Sequence, residues 1–145
     1  MERTLHIMLY QTFHIQRKWV RARMQELGVG AGQPKLLVYL SGHGPCHQKQ
    51  LADYFDVDPA NVSRMIDSLE KGGFVLRRPD EHNRRRDLVE VTEKGRQAGA
   101  LWQERCGQVD EIMLRGFAPE ERARFADYLT RAYQNVLEET GRERT

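Results

Sequence analysis

The chain has 145 residues, 30% of them charged and 39% apolar, enough for one domain with a buried core and too few for two large independent ones. Its 23 Lys and Arg stand against 21 Asp and Glu, a net charge of +2, so a polyanionic partner would have to meet a local concentration of charge. Cys46 and Cys106 lack the short spacing of a zinc ribbon, redox pair or disulfide framework, and the charged N-terminus offers neither a signal-peptide core nor a membrane span; the expectation is a cytoplasmic protein with no membrane partner and no cofactor.

From Leu5 to Leu27 the apolar residues, among them Met8, Phe13, Val20 and Met24, recur mostly every three or four positions, the period of an amphipathic helix. Gly28 and Gly30 end it. A second helix is predicted from about Gln33 to Ser41 and a third from about Gln48 to Phe55. The strongest start signal follows: Asp58 suits a helix cap, Pro59 the first helical position, and Val62, Met65, Ile66 and Leu69 continue at helical spacing to Gly72 and Gly73. Two β-prone runs, FVLRR and DLVEVT, flank the polar tip PDEHN and the run RRR, which predicts a hairpin with an arginine-rich end. Thr92 caps a long helix to about Arg115, and Pro119 opens a last one through Phe125, Leu129, Tyr133 and Leu137.

Two short helices joined by a tight turn and followed at once by a hairpin make a winged helix-turn-helix. The expected fold is therefore mainly α with a small β-hairpin wing (α+β). With Val62, Met65, Ile66 and Leu69 inward, Asn61, Ser63, Arg64 and Asp67 face out at the end of the helix that such proteins place in the major groove. There Arg64 suits guanine and Asn61 adenine, while guanidinium groups at the hairpin tip suit the negative potential of a narrow minor groove. The candidate contacts to double-stranded DNA are Gln48, Lys49, Pro59, Ala60, Asn61, Ser63 and Arg64 on the helices, and Arg77, Arg84, Arg85 and Arg86 on the hairpin. A winged module for protein–protein assembly without DNA is the alternative, although it has no need of three consecutive tip arginines. No nucleophile–base arrangement, phosphate loop or paired carboxylates suggest an enzyme.

The run QKQLADYFDVDPANVSRMIDSLEKGGFVLRRPDEHNRRRDLVEVTEKG resembles the winged-helix core of the MarR (multiple antibiotic resistance regulator) family of transcription regulators. The resemblance is close over residues 30–96. The family's wing pattern, an acidic residue, one intervening residue and Arg, then Leu-Thr and Gly, falls on Asn83, Arg85, Val91, Thr92 and Gly95. Asn83 stands in place of the usual Asp, so the ion pair that would hold Arg85 becomes a neutral hydrogen bond, about half as strong, and a looser tip is expected. The resemblance implies a single MarR-like unit over 1–145, with 30–96 binding DNA and helices in 1–29 and 97–145 forming a homodimer with winged domains spaced for a pseudo-palindrome. It further implies a repressor responsive to a small aromatic or amphipathic effector, for which His14, Arg17 and Lys18 are the candidate contacts. His43, Cys46 and His47 together resemble a zinc-binding set, but they read better as a turn in which Cys46 fills a small apolar slot and His47 caps a helix; no metal is expected. Peroxide sensors of the family carry a reactive Cys in the first helix, which here has none, so Cys46 and Cys106 are read as structural.

Overall fold

The computed structural model describes residues 2–30 and 32–143, which divide into two compact units, Met1–Val109 and Asp110–Thr145. The described residues follow the expected order of four helices, a hairpin and two helices. α1 (Leu5–Met24) starts where the Thr4 hydroxyl accepts the Ile7 N–H at 3.3 Å and tightens over Gln25–Leu27 before Gly28 stops it. At φ 69° Gly28 adopts a left-handed conformation that a side chain would strain. α2 (Pro34–His43) runs two residues past its predicted end. α3 (Gln48–Phe55) opens with the Gln50 side chain accepting the His47 N–H at 2.9 Å. α4 (Pro59–Lys71) opens with the Asp58 carboxylate accepting the Ala60 N–H at 3.0 Å and with Pro59 at its first position, where no N–H is needed.

β1 (Val75–Pro79) pairs antiparallel with β2 (Asp87–Val91), with Val75 opposite Val91 and Pro79 opposite Asp87. Cys46 adds a third, single-residue edge: it donates its N–H to the Val89 carbonyl at 3.1 Å and accepts the Val89 N–H at 2.8 Å. α5 (Glu93–Met113) begins at Thr92, whose hydroxyl accepts the Gly95 N–H at 3.1 Å and donates to the Gly73 carbonyl at 2.7 Å. One side chain thus caps the helix and ties it to the turn after α4.

The core lies under these joints. Leu36, Leu37 and Leu40 of α2, Leu51 of α3, Val62, Ile66 and Leu69 of α4, and Val75 and Val89 of the sheet are almost wholly buried, each contributing about 1.5–3 kcal/mol relative to exposure. α5 seats closely enough that a Cβ on Gly95 would lie 2.1 Å from the Phe74 carbonyl oxygen. This is why the Thr92–Gly95 start tolerates no side chain at Gly95.

In the second unit the turn before α6 (Pro119–Glu143) is closed by the Glu121 carboxylate accepting the Ala118 N–H at 2.8 Å. Arg122 pairs with Glu111 at 3.1 Å, and the Phe117 and Phe125 rings meet edge-on at 5.9 Å. Every side chain over residues 123–142 is exposed. Among the described residues no helix is long and apolar enough to cross a membrane.

Candidate nucleic-acid interface

The helical period that buries Val62, Ile66 and Leu69 leaves Pro59, Ala60, Asn61 and Arg64 exposed at the first turns of α4. The Arg64 guanidinium donates to the Asn61 amide oxygen, so the two expected base-reading side chains form one hydrogen-bonded unit. Ser63, expected to face out, is half-buried at the edge of that face. In the first turn of α3 Lys49 is exposed and Gln48 half-buried. Together with Arg77, Arg85 and Arg86 of the hairpin they line a cleft of about 390 Å³.

The hairpin arginines do different work. Arg77 is tied between α4 and β1, donating to Asp67 at 2.6 Å and to Glu70 at 2.9 Å. Burial works against its charge, but the hydrogen bonds and negative charge of the two carboxylates outweigh it and push its pKa above the ordinary Arg value. Arg77, predicted as a DNA contact, is therefore engaged inside the protein because the hairpin lays it across the acidic side of α4. Arg78 pairs with Glu90 at 3.0 Å. Arg84, Arg85 and Arg86 are exposed, and among the described residues no ion pair or side-chain hydrogen bond neutralises them.

The tip closes through successive turns, with the Asn83 N–H donating to the Asp80 carbonyl and the Arg86 N–H to the Asn83 carbonyl, both at 3.1 Å. The Asn83 side chain accepts the backbone N–H of Arg85 at 3.3 Å. The neutral bond expected at Asn83 is thus present, but it shapes the turn and leaves the Arg85 guanidinium unclaimed.

The profile of the MarR family matches residues 31–86. The chain is 30% identical over 112 residues to the uncharacterized HTH-type transcriptional regulator YybA of Bacillus subtilis (strain 168), spanning 77% of this chain and 75% of that protein. It belongs to the MarR family. Over 97% of both chains the fold matches a crystal structure of MarR at a TM-score of 0.81 and 26% identity. A MarR-family regulator of Listeria monocytogenes, complexed with a 26mer DNA, shares the fold at a TM-score of 0.81 and 24% identity, over 96% of this chain and 92% of that one.

This MarR-family chain has a second cavity, of about 420 Å³, formed within the first unit by α1, the segment before α2, and α5. Phe13, Val20, Met24, Val29 and Trp102 give it apolar walls, and Arg17, Arg21 and Lys35 bring three cations to its lining. Of the predicted effector contacts only Arg17 lines it. His14 is exposed and stacks on Tyr10 at 5.8 Å, and Lys18 is exposed. Arg21 and Lys35 were missed because membership of the cavity depends on how three segments meet. Their one sequence signal is the i, i+4 placement of Arg21 after Arg17 on the same helix face.

His43, Cys46 and His47 have separate roles. His43 stacks on Tyr39 at 5.0 Å; Cys46 is buried, its thiol pushed up to about 11 by desolvation; His47 points to the base of the wing. Among the described residues they form no cluster that would hold a metal ion.

Proposed function

We propose that the chain binds double-stranded DNA as a homodimer and represses transcription from a pseudo-palindromic operator, with release triggered by a small aromatic or amphipathic anion. The observation that carries the DNA reading is the contrast along one hairpin: Arg77 and Arg78 are neutralised internally, while Arg84, Arg85 and Arg86 at the tip are not. Three adjacent uncompensated guanidinium groups are costly in self-repulsion and gain most from a polyanion. The hydrogen-bonded pair Asn61–Arg64 faces the major groove in this arrangement, Lys49 and Gln48 approach the backbone, and Arg77 braces the wing.

Dimerisation is supported by the exposed apolar side chains of α1 and α6. Leu5 and Phe13 on α1, and Tyr133 and Val136 on α6, are each more than half exposed, and apolar surface of this kind on either helix is what soluble monomers avoid. The segments 1–29 and 97–145 are thus the proposed dimer elements around the DNA-binding segment 30–96. The effector reading rests on the cavity, whose apolar walls suit an aromatic ring and whose Arg17, Arg21 and Lys35 suit a carboxylate. An effector acts by favouring one spacing of the two winged domains over another.

The DNA reading is tested by salt titration of Arg85→Ala and Arg64→Ala on a duplex enriched from a randomised pool and on a scrambled one. Arg85→Ala is expected to weaken both duplexes alike and to lower the slope of log affinity against log salt by about one per lost phosphate contact. Arg64→Ala is expected to reduce the preference for the enriched duplex, by about 1–3 kcal/mol per half-site. Unchanged binding in both variants would remove Arg64 and Arg85 from the interface, and a wild type that enriches no duplex would remove the DNA reading in favour of protein assembly.

A further inference from the structure

The wing tip meets the rest of the winged domain at one side chain. His47, just before α3, places Nδ1 3.2 Å from the Asp87 carbonyl oxygen and Nε2 3.1 Å from the Asp80 carboxylate. Asp80 and Asp87 flank the tip that carries Arg84, Arg85 and Arg86, so the imidazole bridges both of its ends. Asp80 is only 8% exposed, and its other carboxylate oxygen accepts the His82 N–H at 2.9 Å. The two partners at these distances are oxygen acceptors, while the Gln50 N–H in the first turn of α3 also turns toward the imidazole and works against a proton on that side. A neutral imidazole has one N–H and one lone pair, so it satisfies one partner and turns a lone pair on the other; only the imidazolium donates to both.

We propose that His47 is a positioning residue that clasps the wing tip in its DNA-gripping orientation, and that the clasp closes fully only when the imidazole is protonated. The proposal rests on the DNA-binding reading above. The charged groups around His47 set the balance. Asp80 and Asp87 favour the cation, whereas Lys49 of α3 and Arg77, Arg85 and Arg86 of the hairpin oppose it. The neighbouring Cys46 thiol stays neutral until about pH 11 and adds no charge. A DNA phosphate in the cleft offsets the opposing cations, so binding and protonation favour each other. The sign follows: the clasp is closed at low pH and loses one of its two bonds as pH rises through the imidazole range, so DNA affinity falls in that direction.

The test measures affinity of the full-length protein for a duplex enriched by the wild type from a randomised pool, from about pH 5.5 to about pH 8, the range in which His changes charge. It is paired with amide hydrogen exchange of the DNA-free protein. Wild type is expected to lose about tenfold in affinity across the range, the scale of one charge-assisted hydrogen bond. His47→Gln is expected to bind weakly with a flat profile, and Asp80→Asn to move the same way, while the controls His43→Gln and His82→Gln keep the wild-type slope. In the free protein His47→Gln should reduce protection of the His82 and Arg86 amides, as should raising the pH of the wild type. A wild-type pH profile in His47→Gln overturns the proposal. So does a salt slope lowered by about one per half-site with His82 protection intact, which would make His47 a direct phosphate contact. If the wild type enriches no duplex, the DNA reading fails, and the exchange measurement still decides whether the clasp exists.

Discussion

α4 has 13 residues and buries Val62, Ile66 and Leu69; α6 has 25 and buries none of its described side chains. Both are amphipathic, and α6 carries Phe125, Leu129, Tyr133 and Leu137 at four-residue steps. The difference is one of context. α4 finds its apolar partners within the same winged core, whereas the stripe on α6 has no cover along residues 123–142. In proteins most helical stability comes from packing of an amphipathic face, so the apolar stripe on α6 calls for a partner, and a second copy of the chain is the proposed cover.

The largest expected effect breaks the α4 side of this contrast. Ile66→Ala should lower unfolding stability by about 2–5 kcal/mol. Gly95→Val should cost more, because its Cβ collides with the Phe74 backbone, which cannot swing aside as a side chain can. Thermal unfolding at two protein concentrations checks both variants, and the loss from Ile66→Ala should be similar at each.

The next effect sharpens the α6 side. Tyr133→Asp with Leu137→Asp should shift a dimer at micromolar concentration to monomer in sedimentation equilibrium while leaving the winged core folded. The wild type alone should show a melting temperature that rises with concentration. A monomeric wild type of full helicity would overturn the α6 assignment.

The smallest effect compares two thiols. Cys46 is buried and held neutral, so at pH 8 its thiolate fraction is on the order of one in a thousand. Cys106 lines the cavity and is half-buried. A thiol reagent should label Cys106 first and Cys46 about a hundredfold more slowly, with Cys46→Ser and Cys106→Ser identifying each phase. The raised Cys46 value also has a stability consequence. Between about pH 9 and about pH 11 the unfolded chain loses this proton while the native one keeps it, so stability should fall as pH rises through that window and be unaffected below it.

The amino-acid sequence determined the order and type of the elements, because the signals involved act over a few residues. Asp58 and Pro59 start α4 and Thr92 starts α5 where expected; Gly28 closes the first helix. The apolar period named Val62, Met65, Ile66 and Leu69 as core without any knowledge of what covers them, and of these Met65 is only half-buried, at the edge of that core. The cluster Arg84–Arg85–Arg86 was legible for the same reason, since a hairpin tip is exposed wherever the hairpin goes. What only the tertiary structure decided are the partnerships between distant segments. Cys46 forms a sheet edge because β2 returns beside the turn before α3. Arg77 is drawn into ion pairs because the hairpin folds back along α4, whose Asp67 and Glu70 lie one helical turn apart. Arg21 and Lys35 share a cavity because α1 and α2 converge, and His47 reaches Asp80 and Asp87 across a separation of more than thirty residues. Such pairings depend on packing angles and hairpin register, which arise from the whole core at once and leave no local trace in the chain.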